Sequence, residues 1–204
     1  PLRLVGSEMC IRDRANAATR VAALLSGEID LVTDAPVQDL GRIGGSAGHK
    51  VVSTPQMRTI FLGMDQGADE LRSGNTGDNP FKKKEVRQAL YQAIDIEAIK
   101  KKVMRGLSEP AGIITFPGVT GYTQDLDKRL AYDPEAAKKL LADAGYPNGF
   151  DVELRCPNDR YVNDEAICTA VVGMFGKIGV NVNLFAQTKS CLLYTSDAAD
   201  EEDS

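Results

Sequence analysis

The chain contains few side chains whose types and spacing could support catalysis. Its single histidine, His49, follows a glycine-rich stretch and has no second metal-ligating residue nearby in sequence. Glu28 and Asp30 flank the apolar Ile29, so we expect both carboxylates to point outward from a solvated turn. The sequence also lacks a Walker loop and a dinucleotide-binding glycine fingerprint. We therefore predict a binding protein rather than an enzyme, with no catalytic residues, no cofactor and no metal site.

Two cysteines lie in the well-patterned part of the chain. Cys156 falls on a predicted strand, and Cys168, twelve positions later, falls on a predicted helix. Paired zinc ligands are usually two to four residues apart, so this spacing does not predict a metal site. We expect both cysteines to be small, buried hydrophobic side chains.

Apolar residues at helical spacing and capping residues predict the helices. Val86, Leu90 and Ile94 fall on one face of a helix over Glu85–Ile94, whereas the lysines just before it should be exposed. Asp133 followed by proline marks another helix start, because Asp is a good N-cap and Pro is tolerated in the first turn. Further helices are predicted at 18–25, 39–43, 95–104 and 163–177.

Alternating or β-rich runs predict the strands that these helices accompany. The strand–helix–strand order over Phe150–Leu184 predicts a parallel pair, because a helical crossover returns the chain to the same end of the sheet. Helices and strands alternate along the chain, which predicts an α/β fold with a mixed sheet and flanking helices. The other predicted strands lie at 29–32, 50–54 and 58–65.

The two ends of the chain lack the periodicity of its centre. Met9–Arg14 (MCIRDR) and Cys191–Thr195 (CLLYT) can be encoded by one short DNA read in opposite orientations. A transposase leaves such an inverted repeat at both ends of a DNA fragment, and the flanking residues are similar to translated sequencing-library adapters. We therefore predict that residues 1–14 and 191–204 are adapter-derived and should be excluded from fold reasoning.

Charge and hydropathy exclude several classes of partner. The two terminal stretches hold three of the 24 basic and seven of the 29 acidic residues, so most of the net charge of −5 is theirs. The nearly neutral centre has no basic excess, and we expect no nucleic-acid partner. No apolar run approaches the roughly 18 residues that a membrane-spanning helix requires.

Five collinear motifs carry a resemblance to a known family. In chain order they are RVAALLSGEIDLV, RTIFLGMD, NPFKKKEVRQALYQAIDIEAI, YDPEAAKKLLADAGYPNGF and FGKIGVNVNL. With this order and spacing, the chain resembles the solute-binding proteins of ABC importers, in the class that takes dipeptides, oligopeptides and nickel complexes. One departure is Lys83, near which such proteins usually carry an aspartate cap, and its loss should cost about 1 kcal/mol.

The resemblance implies a periplasmic-binding-protein-like two-lobe fold, of which this chain is an incomplete middle fragment. Residues 15–60 would belong to lobe I and residues 61–190 to lobe II. The implied function is to capture a peptide or similar small solute by hinge closure and to deliver it to an ABC permease in the membrane. Such a protein would be a monomer in the periplasm or outside the cell, with a lipid anchor as a further expectation.

A two-lobe binder holds its solute between the lobes, so residues beside the crossing should contact it first. That crossing is expected in the stretch leading into RTIFLGMD, which makes Gln56, Met57, Arg58 and Thr59 the predicted ligand-binding residues. The guanidinium of Arg58 could donate a fork of hydrogen bonds to a peptide carboxylate or carbonyl. The alternative is that Arg58 is simply a solvated strand end.

Two other functions stay open at this point. The chain could belong to an enzyme whose catalytic residues lie in missing regions, or to a solute-sensing module that signals to a receptor. A nucleophile and base in the flanking sequence would favour the enzyme, and neighbouring permease and ATPase genes would argue against the sensor. A directly coordinated nickel ion is disfavoured, because His49 is the only imidazole.

Overall fold

The structure, a computed structural model, describes residues 16–54, 56–71 and 75–194. The chain divides into two compact units, Pro1–Thr54 and Pro55–Ser204. The predicted lobe boundary at residues 60 and 61 lies a few residues later and stays a prediction, as does the adapter origin of the termini. Residues 1–15 and 195–204 lie outside the described residues.

The first unit contains two helices, α1 (Ala17–Leu25) and α2 (Leu40–Gly44). The side chain of Asn16 accepts a hydrogen bond from the Thr19 amide at 3.1 Å and so caps α1, which ends before Gly27 (φ 74°). Val21, Ala23 and Ile43 form the buried apolar part of this unit together with Val37.

The second unit begins its helical part at a buried asparagine. Asn79 donates from Nδ2 to the carbonyls of Asp65 (3.0 Å) and Ala68 (2.9 Å) and accepts from the Phe81 amide (3.0 Å). A 3₁₀ turn, Pro80–Lys82, then leads into α3 (Lys84–Ala93). As the sequence predicted, Lys83 provides no side-chain cap for α3.

The next two helices each begin at an aspartate cap. Asp95 accepts from the Ala98 amide (2.9 Å) and starts α4 (Ile96–Ala98), which continues as a π-helical turn over Ile99–Val103. Asp133 accepts from the Ala136 amide (2.9 Å) and starts α5, as predicted. The helix α5 spans Pro134–Asp143, and α6 spans Asp164–Gly176.

The strands β1 (Asp151–Pro157) and β2 (Asn181–Gln187) pair in parallel, with α6 between them in sequence. The register pairs Asp151 with Asn181 and Pro157 with Gln187. The predicted strand–helix–strand unit is therefore confirmed.

The core of the second unit lies between this parallel pair and the helices. Val86 and Leu90 of α3 are buried, as the helical phase predicted, and Ile94 is half-buried. Phe150 packs edge-on against Phe81 and Tyr146, with ring centroids 6.1 and 5.4 Å apart. The other fully enclosed apolar side chains in this core include Ala89, Ala93, Ala137, Leu141 and Val180.

Three predicted strands are not formed in the described residues. Residues 29–32, 50–54 and 58–65 join no ladder, and the sheet consists of the parallel pair alone rather than the mixed sheet that was predicted. Leu31 is 78% exposed and Phe61 is 63% exposed. The apolar pattern of these runs was correctly seen, but a strand also requires a neighbour that accepts its backbone hydrogen bonds, and no described segment supplies one.

The prediction that Cys156 and Cys168 are separate hydrophobic side chains is wrong, because they form a disulfide with Cα atoms 6.6 Å apart. Both residues are buried, as expected. Packing of α6 on β1 brings the end of the strand against the second turn of the helix, and spacing along the chain gives no measure of that approach.

The described part of the C-terminal stretch is largely exposed. Residues 189–194 are helical, and Tyr194 is 76% exposed. Leu193 is also exposed, in contrast to the buried Leu90 of α3.

We predict that Gly149→Ala destabilises the chain strongly. Gly149 has φ +72°, and a Cβ there would overlap the carbonyl of Gly179 where the two parallel strands begin. Left-handed strain and the clash together should cost about 2 to 4 kcal/mol of unfolding free energy in urea denaturation. Gly173→Ala is the control, because its added Cβ meets nothing within 4 Å on helix α6. It should stabilise the chain by up to about 1 kcal/mol, and equal effects of the two changes would contradict the prediction.

We also predict a loss of stability at alkaline pH that depends on Tyr146. Burial, helped by a hydrogen bond from its hydroxyl to Asp78 (2.7 Å), raises the pKa of Tyr146 to about 12. Because the folded-state pKa is raised, this stabilisation is complete below the unfolded value near 10 and declines as the pH rises towards 12. Tyr146→Phe should therefore be less stable than the parent at pH 8, with a difference that shrinks above pH 10. A difference that stays constant with pH would contradict this.

Candidate functional site

The four predicted ligand-binding residues lie in an extended, largely exposed segment of the second unit. Gln56, Met57 and Arg58 are exposed, and Thr59 is half-buried. The Arg58 amide donates to the Gln56 carbonyl at 2.9 Å, which forms a tight turn at the start of the segment. The segment therefore presents its side chains to solvent rather than to a strand neighbour.

Arg58 contacts a loop that the sequence analysis did not single out. Its guanidinium carbon lies 5.3 Å from the ring centroid of Tyr161, and that of Arg160 lies 5.0 Å from the same ring. Both distances are within the range of cation–π attraction. Among the described residues neither guanidinium forms an ion pair or a side-chain hydrogen bond, so two arginines meet at one aromatic ring without a carboxylate partner.

The loop that carries Arg160 and Tyr161 connects the carboxyl end of β1 to the first turn of α6. Ligands of open α/β sheets bind outside the carboxyl ends of the strands, so this is the edge at which a solute would be expected. A surface depression of about 590 Å³ lies here, and Tyr161 is one of its lining residues. Its other lining residues are Asn158, Asn163, Asp164, Glu165, Ala166 and Thr169.

Asp164 holds the backbone of this loop in place through hydrogen bonds. It is only 7% exposed, and its carboxylate accepts hydrogen bonds from the amides of Arg160 (3.0 Å), Tyr161 (3.0 Å) and Glu165 (2.9 Å). Asn163 has a left-handed backbone (φ 57°) and donates from Nδ2 to the Val103 carbonyl at 2.9 Å. The loop is therefore tied both to its own helix and to the π-helical turn.

Thr59 links the predicted segment to a second loop, residues 108–130. Its hydroxyl donates to the Ile114 carbonyl at 2.7 Å. That loop is held together by Asp127, which accepts from the Gly112 amide (2.5 Å) and the Tyr122 hydroxyl (3.0 Å). A Cβ at Gly112 would lie 2.9 Å from the backbone of residues 127 and 128, so the two ends of the loop are in close contact.

The other residues that could do chemistry are not assembled into a site. His49 lies with Nε2 3.1 Å from the Leu24 carbonyl and Nδ1 3.1 Å from the Ala47 carbonyl. Ser46, within a GGSAG stretch that fits Gly-x-Ser-x-Gly spacing, donates its hydroxyl to the Arg42 carbonyl (3.0 Å) and not to the His49 ring. The described residues also contain no group of three or more metal-ligating side chains.

A second surface depression, of about 350 Å³, lies between the start of α4 and residues 110–132. Its cation, Arg129, already donates to the Ala111 carbonyl (2.8 Å) and lies 4.4 Å from the Tyr91 ring centroid. Because that guanidinium is engaged within the fold, the Tyr161 loop is the stronger candidate for binding an anionic group.

Sequence reasoning singled out Arg58 but not Arg160 and Tyr161, which lie beside it. A signal was present, because the segment PNDRYVN follows a predicted strand and precedes a predicted helix in a parallel unit. The rule for the carboxyl ends of parallel strands points to such a loop. No feature of the sequence indicated that Arg58 lies near Tyr161, since about a hundred residues separate them in the chain.

Residues 7–202 match the family model for bacterial extracellular solute-binding proteins, family 5, middle. Heme-binding protein A of Haemophilus influenzae is 30% identical over 174 residues, which cover 82% of this chain and 29% of that protein.

Two solved structures show the same fold. The oligopeptide-binding protein AppA of Bacillus subtilis, in complex with a nonapeptide, has a TM-score of 0.72 and 25% identity over 89% of this chain and 36% of its own. The ABC transporter-associated periplasmic binding protein DppA of Helicobacter pylori, in complex with the peptide STSA, has a TM-score of 0.68 and 25% identity over 89% and 33%. These likenesses confirm the predicted fold class. The chain spans about a third or less of the length of each relative.

In the described residues, no helix is sufficiently long and apolar to span a bilayer.

We predict that loop 108–130 loosens in acid through Asp127. The hydrogen bond from the Gly112 amide is the main cause that holds the pKa of Asp127 below its ordinary value of 3.8. Because the folded-state pKa is lowered, the stabilisation is complete above pH 4 and is lost as the pH falls through the folded value. Hydrogen–deuterium exchange of the loop, corrected for intrinsic rates, should increase as the pH falls from about 4 to about 2.

The variant Asp127→Asn should exchange faster at neutral pH and show no such acid step. Asp125→Asn is the matched control, because the Asp125 carboxylate, within the described part of the chain, pairs with the exposed Lys128 (2.8 Å) and no other cation. An acid step of equal size in Asp127→Asn would assign the loosening to another group.

Proposed function

We propose a function for this chain on the premise that it belongs to the bacterial extracellular solute-binding proteins of family 5. The proposal is that it forms the middle part of the substrate-binding component of an ABC importer. This component would capture peptides or similar small solutes between two lobes and deliver them to a membrane permease. Hinge closure around the solute, without covalent chemistry, is the proposed mechanism.

The relatives support a solute of this class. The Bacillus and Helicobacter structures contain bound peptides, and the Haemophilus protein is named for heme. Peptides and heme both carry carboxylates, and this shared group can be recognised by arginine. Membership in a family of binding proteins also speaks against the enzyme alternative raised by the sequence.

The observation that carries the proposal in this chain is the pair of guanidiniums at Tyr161. Arg58 and Arg160 lie 5.3 and 5.0 Å from its ring centroid, at the carboxyl end of the parallel strands. Each presents N–H donors that no described residue accepts, and the aromatic ring between them offers an apolar surface. A peptide carboxylate fits this arrangement because it provides two acceptor oxygens next to the Cα and side chain of the terminal residue.

We propose that Gln56, Met57 and Thr59 border this subsite. Gln56 and Met57 are exposed beside Arg58, and Met57 offers a flexible apolar side chain that suits varied solutes. Thr59 has its hydroxyl engaged with the Ile114 carbonyl, so its contribution would be to hold the segment in place. Main-chain groups of the extended segment could bind an extended peptide irrespective of its side chains.

A location in the periplasm or outside the cell is part of the proposal. The buried disulfide between Cys156 and Cys168 supports it, because structural disulfides persist in oxidising compartments and are rare in the cytosol. A monomeric state and a lipid anchor remain expectations from the resemblance.

The proposal is tested by replacing Arg58 with Ala in a full-length family member that carries this segment. Binding of short peptides, each with a free and an amidated carboxyl terminus, is measured by calorimetry. We expect the parent to prefer the free carboxylate and Arg58→Ala to bind it about tenfold or more weakly, since hydrogen bonds to charged groups contribute about 1.5 to 3 kcal/mol. Arg160→Ala should have a similar effect.

Lys139→Ala serves as the control, because Lys139 is an exposed cation on α5 for which the structure shows no ion pair among the described residues. If Arg58→Ala binds every peptide with unchanged affinity, Arg58 is not part of the site. A parent protein that binds no peptide of the panel, and no other carboxylate solute, would overturn the proposed function itself.

A further inference from the structure

The loop beside the candidate site is held both by a disulfide and by the hydrogen bonds of a buried carboxylate. It runs from Cys156, at the end of β1, to Cys168, on the second turn of α6, and the disulfide joins these two residues across twelve positions. Arg160 and Tyr161 lie inside this closed segment. The disulfide therefore limits the conformations of the residues that meet Arg58.

Inside the closed segment, one buried carboxylate sets the backbone. Asp164 is 7% exposed, and its Oδ2 accepts from the amides of both Arg160 and Tyr161 at 3.0 Å. Its Oδ1 accepts from the Glu165 amide at 2.9 Å. No lysine or arginine pairs with this carboxylate among the described residues, so backbone N–H groups alone compensate its burial.

We propose that Asp164 is a positioning residue for solute binding, and that it acts together with the Cys156–Cys168 disulfide to hold the backbone of Arg160 and Tyr161 in the binding arrangement. This inference rests on the proposed function. A rigid loop loses less conformational entropy when a ligand binds, so the affinity gained at the two arginines depends on this support. Asp164 itself faces the backbone and contacts the solute only through the residues it positions.

An isosteric substitution separates positioning from folding. Asp164→Asn keeps the size of the side chain but replaces one acceptor oxygen with an NH₂ group, so it cannot accept all three amide hydrogen bonds. In a full-length family member that carries this segment, we measure affinity for peptides with free and amidated carboxyl termini, together with the thermal midpoint.

The expected result is that Asp164→Asn loses most of the preference for the free carboxylate, by about tenfold, while the protein stays folded at the assay temperature. A residue with only a structural role would lower the thermal midpoint and leave that preference unchanged. Glu135→Gln is the matched control, because it also removes a carboxylate in the first turn of a helix, here α5, but leaves the Asp164 hydrogen bonds intact. It should retain the preference.

The double variant Cys156→Ala/Cys168→Ala tests the same inference by a second route. It removes the closure of the loop and leaves Asp164 in place, so we expect a partial loss of the preference. If Asp164→Asn fails to fold, the double cysteine variant provides the test. Full retention of the carboxylate preference in the double variant would overturn the inference. A parent that shows a carboxylate preference abolished by Arg160→Ala, alongside an unaffected Asp164→Asn, overturns the inference but leaves the proposed function standing.

Discussion

Parallel pairing of β1 with β2 is the constraint from which the arrangement of the second unit follows. Parallel strands cannot be joined by a tight turn, so the chain must cross from the end of β1 to the start of β2 through α6. The crossing helix covers the pair and places both strand ends at one edge. At the other edge, Gly149 and Gly179 allow the two incoming backbones to approach more closely than a Cβ would permit.

The helices complete the core that this pair begins. Val86 and Leu90 on α3 and Leu141 on α5 pack with Phe150 and Val180, the residues that immediately precede the two strands. Asn79 fixes the entry to α3 because both polar atoms of its buried side chain form hydrogen bonds. These bonds give a polar side chain a defined place in an apolar region. Thus the elements before the parallel pair depend on it for their packing surface.

The candidate site illustrates how such a frame supports binding. Flexible arginines alone would give a weak and poorly directed anion site, because ordering long side chains costs entropy. Here the loop that carries Arg160 and Tyr161 is joined covalently at Cys156 and Cys168 and held by the Asp164 carboxylate. The Arg58 side chain, from a separate segment, then meets a ring whose position is already set.

The local elements of this fold were predictable from the sequence. Helical periodicity located the buried face of α3, Asp133 with Pro134 marked the start of α5, and the strand–helix–strand pattern predicted the parallel pair. These features depend on neighbours a few residues apart, and propensities and caps act over that range. The scarcity of catalytic groups and the family resemblance could also be recognised from the sequence.

Contacts between groups far apart in the chain depend instead on how the elements pack. The Cys156–Cys168 bond and the approach of Arg58 to Tyr161 depend on packing between elements, for which spacing along the chain carries no measure. The same reason explains why residues 29–32 and 50–54 show strand composition without forming strands, since a ladder exists only where a second backbone is present. Lys83 is a further case: as a helix cap it is a poor choice, yet its ammonium contacts the Ala144 carbonyl at 2.9 Å and lies 4.5 Å from the Tyr146 ring.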